Sequence, residues 1–234
     1  MAEAGRAPAL LVTGTDTGVG KTWVSVGLLE ALGRAGIRAR GLKPVASGAE
    51  ATPAGLQNDD ARALMAAASA PPLPYAAINP YCYAPPIAPH LAAEAAGQPV
   101  NPAVLSAAVE QARRDCDLLL VEGAGGWRVP LAAGYGFPEL ARDTDADVLL
   151  VVGLRLGCIN HARLSAEAIQ HDGLRLVGWV GNPVEPDMPA LAGNLATLQA
   201  LLPAPCLGVL PEGPDEAAFD ALAAALTAHL GAPA

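Results

Sequence analysis

Residues 12–22 read Val-Thr-Gly-Thr-Asp-Thr-Gly-Val-Gly-Lys-Thr, and this stretch decides the fold. The apolar run 10–12 enters a loop with three glycines, Gly14, Gly18 and Gly20. Five residues separate the first glycine from the last, one more than the usual spacing. The order of strand, glycine-rich loop, Gly-Lys-Thr and helix predicts a P-loop rather than an ordinary glycine-rich turn. In such a loop backbone N–H groups converge on phosphate oxygens, Lys21 reaches the β- and γ-phosphates, and the Thr22 hydroxyl can bind Mg²⁺.

The composition indicates a soluble α/β protein. The chain has 234 residues, enough for a single P-loop domain spanning residues 1–234. Apolar residues make up 52% of it, yet no window approaches the roughly 18–20 consecutive apolar residues that cross a bilayer. The net charge of −9 argues against a nucleic-acid backbone as partner. The N-terminus lacks a secretory pattern and the four cysteines lack metal spacing, so we expect a cytoplasmic protein with reduced thiols.

Short β-rich apolar runs alternate with helical patterns along the whole chain. Strands are predicted at 9–13, 37–45, 117–122, 147–153, 174–181 and 206–210. In the first helix Val24, Leu28 and Leu32 recur with helical spacing and Gly36 can end the helix. A closing helix is predicted at 215–230. This alternation predicts a P-loop NTPase-like, doubly wound, mainly parallel sheet with helices on both faces and a nucleotide at the carboxyl ends of the strands.

Residues 71–102 break this alternation because they contain nine prolines. Proline excludes a long helix or a central strand there. The segment is therefore either a functional loop over a site or a loose excursion.

Two carboxylates lie where a P-loop fold would place them near phosphate. Glu122 ends a predicted strand and precedes the glycine-rich run 123–126, and Asp60 lies in a polar loop after the second strand. P-loop enzymes use such carboxylates to hold Mg²⁺ or its water shell. A helix N-cap is the alternative role, which is favoured for Asp59, whereas the motif alone leaves Asp60 open. Two desolvated carboxylates would repel one another until a cation arrives.

The chain has only two lysines, Lys21 and Lys43, and both lie at predicted strand-to-loop junctions. Lys43 can neutralise charge on a transferring phosphoryl group, which we favour over the alternative of a solvated lysine at a strand end.

Two further segments have two interpretations each. Asn182 is either a reader of the adenine edge or a turn residue before Pro183. Residues 157–160 precede a helix predicted at 161–171, whose free N–H groups could hold a substrate carboxylate. The alternative there is a plain N-cap at Asn160.

With these residues identified, the chain resembles the dethiobiotin synthetase family over nearly its whole length. The resemblance rests on motifs in the family's order, at 14–22, 43–48, 121–127, 156–161 and 178–182. The five-residue gap in the P-loop is the form that this family uses. The family couples ATP and Mg²⁺ to closure of a cyclic urea on 7,8-diaminononanoate with CO₂, through a carbamate and a phosphocarbamate. This is the penultimate step of biotin synthesis.

The resemblance implies a role for each matched residue. Lys21 and Lys43 would flank the γ-phosphate and the carbamate, which Thr17 and Ser47 would position. Mg²⁺ would be set by Thr22, Asp60 and Glu122. The nucleotide would be bound by Gly18, Val19, Gly20, Lys21, Thr22, Trp23, Asp60, Glu122, Gly123, Ala124, Gly125, Asn182, Pro183, Pro211, Glu212 and Gly213. The diamine substrate would be bound by Thr17, Lys43, Ser47, Gly157, Cys158, Ile159 and Asn160.

The resemblance also implies a homodimer, with residues 157–161 and 184–195 at its interface. The chain departs from the family pattern at Gly18, Ala88 and Pro183, and it lacks the tyrosine expected near Asn194.

Two other classes of protein share parts of this pattern. A P-loop ligase that activates a carboxylate for amide formation usually carries a fused amidotransferase domain, for which 234 residues leave no room. A switch ATPase of the partitioning type carries an extra lysine early in its P-loop, and residues 14–19 contain none.

Overall fold

The computed structural model describes residues 6–185, 187–213 and 215–230. Residues 1–5, Pro186, Pro214 and 231–234, which belong to the predicted domain and in part to the predicted interface, lie outside the described residues. The strands are β1 Ala9–Gly14, β2 Ala39–Leu42, β3 Val45–Ser47, β4 Glu50–Thr52, β5 Gly55–Gln57, β6 Tyr81–Tyr83, β7 Leu118–Gly126, β8 Pro130–Ala132, β9 Tyr135–Gly136, β10 Ala146–Leu154, β11 Leu176–Pro183 and β12 Cys206–Val209. The helices are α1 Lys21–Arg34, α2 Asp59–Ala67, α3 Tyr75–Ile78, α4 Pro89–Ala95, α5 Pro102–Ala112, α6 Phe137–Asp143, α7 Cys158–His171, α8 Leu191–Leu201 and α9 Glu216–Leu230.

The main sheet is parallel throughout its described strands. Its order is β12-β11-β10-β1-β7-β2, so the strand that leads into the P-loop lies between β7 and β10. Val12 of β1 is paired with Glu122 of β7, and Leu42 of β2 with Val121. The carboxyl ends of β1, β7 and β2 therefore lie side by side, which brings three predicted site segments to one edge.

Helices cover both faces of this sheet. Leu10 and Val12 of β1 pack into one buried cluster with residues of α1 and α9, whereas Leu11 packs into another with residues of α5 and α6. A third cluster joins β10 and β11 to α7 and α8. Because successive side chains of a strand point to opposite faces, the unbroken apolar runs reflect burial on both sides. The predicted doubly wound fold is confirmed.

The predicted second strand, 37–45, is wrong in its length. The main-sheet strand β2 ends at Leu42, and β3 pairs instead with β6 in a separate two-stranded sheet. The break falls beside Pro44, which has no N–H to donate, and the Lys43 N–H turns to the carbonyl of Ile78 at 3.0 Å. Lys43 therefore leaves the main sheet at its carboxyl edge.

Other element boundaries shift by a few residues. β7, β10 and β11 extend to Gly126, Leu154 and Pro183, so that Asn182 lies inside a strand rather than in a turn. Gly36, with φ of 81°, follows the C-cap of α1 as expected.

The proline-rich segment 71–102 contains the short elements α3, β6 and α4, and no long helix or main-sheet strand. The prediction from its prolines is confirmed. Among the described helices, none has the length and apolar character needed to cross a membrane. The cysteines are free thiols at Cys82, Cys116, Cys158 and Cys206.

Candidate functional site

The P-loop joins the end of β1 to the first turn of α1. Gly20 is the N-cap of α1 and has φ of 88°, in the left-handed region. A Cβ on Gly20 would lie 2.2 Å from Nδ2 of Asn182, so both its conformation and its neighbour require glycine. With the backbone held in this way, the free N–H groups at the start of α1 are available to an anion.

Lys21 is buried at the start of α1, and its Nζ donates to the carbonyl of Asp16 at 3.0 Å. Burial lowers the pKa of Lys21 and the nearby Lys43 lowers it further, to about 8, against the attraction of nearby carboxylates. A buried ammonium with a depressed pKa beside free N–H groups is typical of a site that an anion completes.

Lys43 lies at the centre of a charged cluster. Its Nζ donates to Oε1 of Glu122 at 2.6 Å, to Oδ2 of Asp60 at 3.0 Å and to the carbonyl of Gly123 at 3.3 Å. The Thr22 hydroxyl donates to the same Oε1 of Glu122 at 2.8 Å. Lys43 is 4% exposed and Glu122 0%. The structure therefore brings these predicted residues together, and the expected repulsion between carboxylates is relieved by a cation of the chain itself.

The charge states in this cluster support each other. Burial alone would lower the pKa of Lys43, but Glu122 and Asp60 outweigh it and raise the pKa above its ordinary value. Burial would raise the pKa of Asp60, but the Lys43 ammonium holds that pKa below its ordinary range. Lys43 and Asp60 are therefore both charged at neutral pH and form an ion pair.

The predicted Mg²⁺ residues fit a weakly liganded cation. Oε2 of Glu122 is buried and has no hydrogen-bond partner among the described residues. An orphaned carboxylate oxygen of this kind is one that a cation or its bound water would satisfy. In the part of the chain that the structure describes, no three His, Cys, Asp or Glu side chains gather into a metal site. Thr22, Asp60 and Glu122 thus suit Mg²⁺, which keeps waters and phosphate oxygens among its ligands.

These groups open into a cleft of about 680 Å³, called here the phosphate cleft. The predicted site residues that line it are Thr17, Gly18, Gly20, Lys21, Thr22, Lys43, Ser47, Asp60, Ala124 and Gly125. Residues 86–89 of the proline-rich segment form another wall, so that segment is a loop over the site rather than a loose excursion. Ala46 and Val129 complete the lining. Sequence reasoning missed these two, because apolar side chains carry no chemical signature, whereas the prolines and the family pattern at Ala88 were the signals for 86–89.

The other predicted nucleotide residues do not line the phosphate cleft. Asn182 is buried in β11 and its Nδ2 donates to the carbonyl of Val19 at 2.9 Å, so it braces the P-loop and is not a turn residue. Trp23 is 53% exposed and packs edge-on against Phe219, with ring centroids 6.1 Å apart. Val19 and Glu122 are buried, as is Gly123. The exposed residues after β12 are Pro211, Glu212 and Gly213, and Pro183 ends β11.

A second cleft, of about 460 Å³, lies at the start of α7. Gly157, Ile159 and Asn160 line it together with Asn194, whereas Cys158 is buried. The helix begins at Cys158, three residues earlier than predicted, with Gly157 as its N-cap. The alternative of an N-cap at Asn160 is therefore wrong.

The N-cap favoured for Asp59 is also wrong. The cap of α2 is Asn58, whose Oδ1 accepts from the Ala61 N–H at 3.3 Å. Asp59 lies in the first turn and pairs with Arg62 at 3.4 Å, away from Lys43. Because the N-cap of α2 is Asn58 and not Asp59, the residue that reaches the charged cluster is Asp60.

Solved structures with the same fold come from P-loop proteins. The MinC:MinD cell division protein complex of Aquifex aeolicus gives a TM-score of 0.62 at 15% identity, covering 97% of this chain and 98% of that one. The cell division ATPase MinD of Pyrococcus furiosus gives 0.59 at 17% identity, covering 96% and 99%. At these identities the likeness shows the fold alone. The fold and the phosphate cleft therefore define a protein of the P-loop NTPase class.

Sequence comparisons narrow this class. A family model described as an AAA domain matches residues 8–218. The ATP-dependent dethiobiotin synthetase BioD of Pseudomonas aeruginosa (strain UCBPP-PA14) is 53% identical over 224 residues, or 95% of this chain and 96% of that relative. The ATP-dependent dethiobiotin synthetase BioD 1 of Escherichia coli K12 is 48% identical over 210 residues, or 88% and 93%. The chain belongs to the dethiobiotin synthetase family, whose members are ATP-dependent ligases of biotin biosynthesis.

Proposed function

We propose that this enzyme closes the ureido ring of dethiobiotin from 7,8-diaminononanoate and CO₂ at the expense of ATP. One amine of the substrate attacks CO₂ and loses a proton to form a carbamate. The carbamate oxygen then attacks the γ-phosphorus, so that ADP leaves and a phosphocarbamate forms. The second amine attacks the carbamoyl carbon, phosphate leaves and a proton is lost. The observation that carries the proposal is the pair of buried ammonium groups, Lys21 and Lys43, on one phosphate cleft.

Positioning and charge neutralisation would supply most of the catalysis, since phosphoryl transfer needs little covalent help. Lys21 and the P-loop N–H groups would hold the β- and γ-phosphates. Lys43 would neutralise the charge that accumulates on the phosphoryl group and the carbamate during transfer. Thr17 and Ser47, which line the same cleft, would hydrogen-bond the carbamate and aim its oxygen at phosphorus.

Mg²⁺ would be held by Thr22, Asp60 and Glu122, beside the orphaned oxygen of Glu122. When bound, the ion would neutralise part of the charge on the phosphate oxygens. In this arrangement Lys43 exchanges part of its contact with the two carboxylates for contact with phosphate and carbamate. The ion pair of the free protein would thus already hold the ammonium and the carboxylates where the reaction needs their charges.

The adenine would lie beyond the P-loop, on the side of Trp23 and Asn182. Trp23 has an exposed indole there, and Nδ2 of Asn182 donates to the Val19 carbonyl of the P-loop. Pro183 and the exposed residues 211–213 follow the neighbouring strands β11 and β12 and would complete this face. Gly18 to Gly20 and residues 123–125 would approach the phosphates through their backbones.

The tail carboxylate of the diamine would bind at the start of α7. Gly157, Ile159 and Asn160 contribute N–H groups at that helix start, whereas the Cys158 N–H donates to the Arg155 carbonyl at 3.0 Å, and a second cleft opens beside them. Leu156 is 87% exposed and Leu164 58% at this surface, which favours a second copy of the chain as cover. We propose a cytoplasmic homodimer in which residues 157–161 and 184–195 of each subunit complete the partner's site. A monomer at micromolar concentration that still turned over would refute this shared site.

The proposed reaction is tested by ADP release with and without diaminononanoate and bicarbonate, across a panel of nucleotides. Release should require both co-substrates and should be greatest with ATP. An equal rate of ADP release with and without the diamine would refute the proposal. Turnover stimulated instead by a partner surface would favour a switch ATPase.

The role of Lys43 is tested by Lys43→Ala. Loss of one preorganised donor typically lowers kcat by about 10²–10³, whereas nucleotide Kd should change little because Lys21 and the P-loop remain. Lys43→Arg should restore little, since a planar fork cannot replace a compact ammonium. A kcat within about threefold of wild type would show that Lys43 is only structural.

A further inference from the structure

Lys43 has left the main sheet, and the segment 75–83 holds its backbone in place. The Lys43 N–H donates to the carbonyl of Ile78 at 3.0 Å. On the other side of the residue, Nδ2 of Asn79 donates to the Lys43 carbonyl at 2.7 Å and to the Tyr81 carbonyl at 3.1 Å. Asn79 is 3% exposed, so these bonds are shielded from water.

The hydroxyl of Tyr75 joins this segment to the helix that carries Asp60. It donates to Oδ1 of Asn79 at 2.8 Å and accepts from the Asn58 N–H at 2.7 Å. Asn58 is the N-cap of α2, and its Nδ2 donates to the Ser47 carbonyl at 3.4 Å. A chain of hydrogen bonds thus runs from Lys43 through Asn79, Tyr75 and Asn58 to the first turn of α2.

Three residues of the proposed site are connected by this series of hydrogen bonds. Lys43 follows the end of β2 and lies outside any strand, Ser47 ends β3 and Asp60 lies in the first turn of α2. Backbone pairing of β3 with β6 fixes the line of residues 45–47 but not the distance to α2. The Tyr75 hydroxyl links Asn79, which binds the Lys43 carbonyl, to Asn58, which caps α2. Burial raises the pKa of Tyr75, so the hydroxyl stays protonated and keeps its donor role at neutral pH.

We infer that Tyr75, Asn79 and Asn58 are positioning residues that set the distance between the Lys43 ammonium, the Asp60 carboxylate and Ser47. The inference rests on the proposed function, in which those three groups act on phosphate, metal and carbamate. The positioning residues act through Lys43 and Asp60, and they line no part of the phosphate cleft. A misplacement of about 1 Å in such a site can lower the rate by up to about 10²-fold.

The test is Tyr75→Phe with Tyr83→Phe as its matched control. Tyr83 lies in the same segment and its buried hydroxyl donates to the Gln98 carbonyl at 2.8 Å. Both variants therefore lose one hydrogen-bonded tyrosine hydroxyl. We expect Tyr75→Phe to lower kcat about tenfold with ATP Kd within about twofold of wild type, and Tyr83→Phe to leave kcat within about twofold. Equal kcat for the two variants would overturn the inference.

A double-mutant cycle shows whether Tyr75 acts through Lys43. In the Lys43→Ala background, Tyr75→Phe should lower kcat by threefold or less, since the ammonium whose distance to Asp60 and Ser47 it sets is gone. A tenfold loss that persists in that background would overturn the inference and leave the proposed function standing. Near-normal kcat in Lys43→Ala alone would instead overturn the catalytic role proposed for Lys43, and ADP release that does not depend on the diamine would overturn the proposed function.

A second variant covers the case in which Tyr75→Phe does not fold. Asn58→Ser keeps a good N-cap for α2 but removes the Nδ2 bond to Ser47. It should lower kcat about threefold or more at unchanged ATP Kd and raise the Mg²⁺ concentration needed for half-maximal rate. Wild-type values for both quantities would overturn the inference.

Discussion

Loss of one partner of the buried ion pair between Lys43 and Glu122 should strongly destabilise the nucleotide-free enzyme, and Lys43→Met tests this. Methionine has a similar length but no charge. In the variant, the 0% exposed Glu122 loses its bond of 2.6 Å to Nζ and keeps the bond from the Thr22 hydroxyl. An uncompensated carboxylate would then be buried in the fold.

The magnitude follows from breaking one side of a buried pair. Such a loss destabilises proteins by about 3–5 kcal/mol, which for a chain of this size lowers Tm by roughly 6–20 °C. The pKa of Lys43 is raised by its carboxylates. Its stabilising contribution is therefore complete below the unfolded value of about 10.4 and is lost as pH rises through the folded pKa. Measurements at roughly pH 7 record the full effect.

The assay is urea unfolding of wild type, Lys43→Met, Glu122→Gln and the double variant, without nucleotide or Mg²⁺. The double variant removes both charges, so it should lie within about 1–2 kcal/mol of wild type. The coupling energy from this cycle should be at least about 2 kcal/mol. A Lys43→Met variant less than about 1 kcal/mol below wild type would refute the view that the pair is desolvated and interdependent.

Three further predictions concern ligand binding. Because the pKa of Lys21 in the free protein is lowered to about 8, ATP Kd measured by calorimetry should weaken about tenfold for each pH unit above that value, and a flat profile to pH 9.5 would contradict this. Gly20→Ala should lose at least about tenfold in ATP affinity through collision with Asn182, whereas Gly18→Ala, equally left-handed but in open space, should lose less. Asp60→Asn should raise the Mg²⁺ requirement of turnover by about 10–100-fold, and normal activity at limiting Mg²⁺ would remove this residue from the metal shell.

The sequence predicted the P-loop because all of its determinants are contiguous. The determinants are a strand, three glycines, Lys21-Thr22 and an amphipathic helix, all of which act locally. A residue that adopts the left-handed conformation, such as Gly20, can be recognised in the sequence because it is glycine. The doubly wound fold followed in the same way, since apolar runs and helical spacing report burial on each face.

Boundaries were predicted less well where tertiary contacts compete with local preference. The run 37–45 is apolar enough for one strand, but Pro44 and the carbonyl of Ile78 divert it after Leu42. Asn182 resembles a turn residue in sequence, yet the neighbouring β10 extends β11 past it to Pro183. In both cases the deciding partner lies far along the chain.

What the sequence determined by itself is therefore the class of fold, the P-loop and the list of candidate charged residues. What only the tertiary structure decided is how those residues meet. Lys43 bridges Glu122 and Asp60 because β2 and β7 are neighbours and Asn58, rather than Asp59, caps α2. The tie from Tyr75 through Asn79 to Lys43 joins residues separated by more than thirty positions. Such contacts depend on the order of strands and on the packing of loops, which no local pattern encodes.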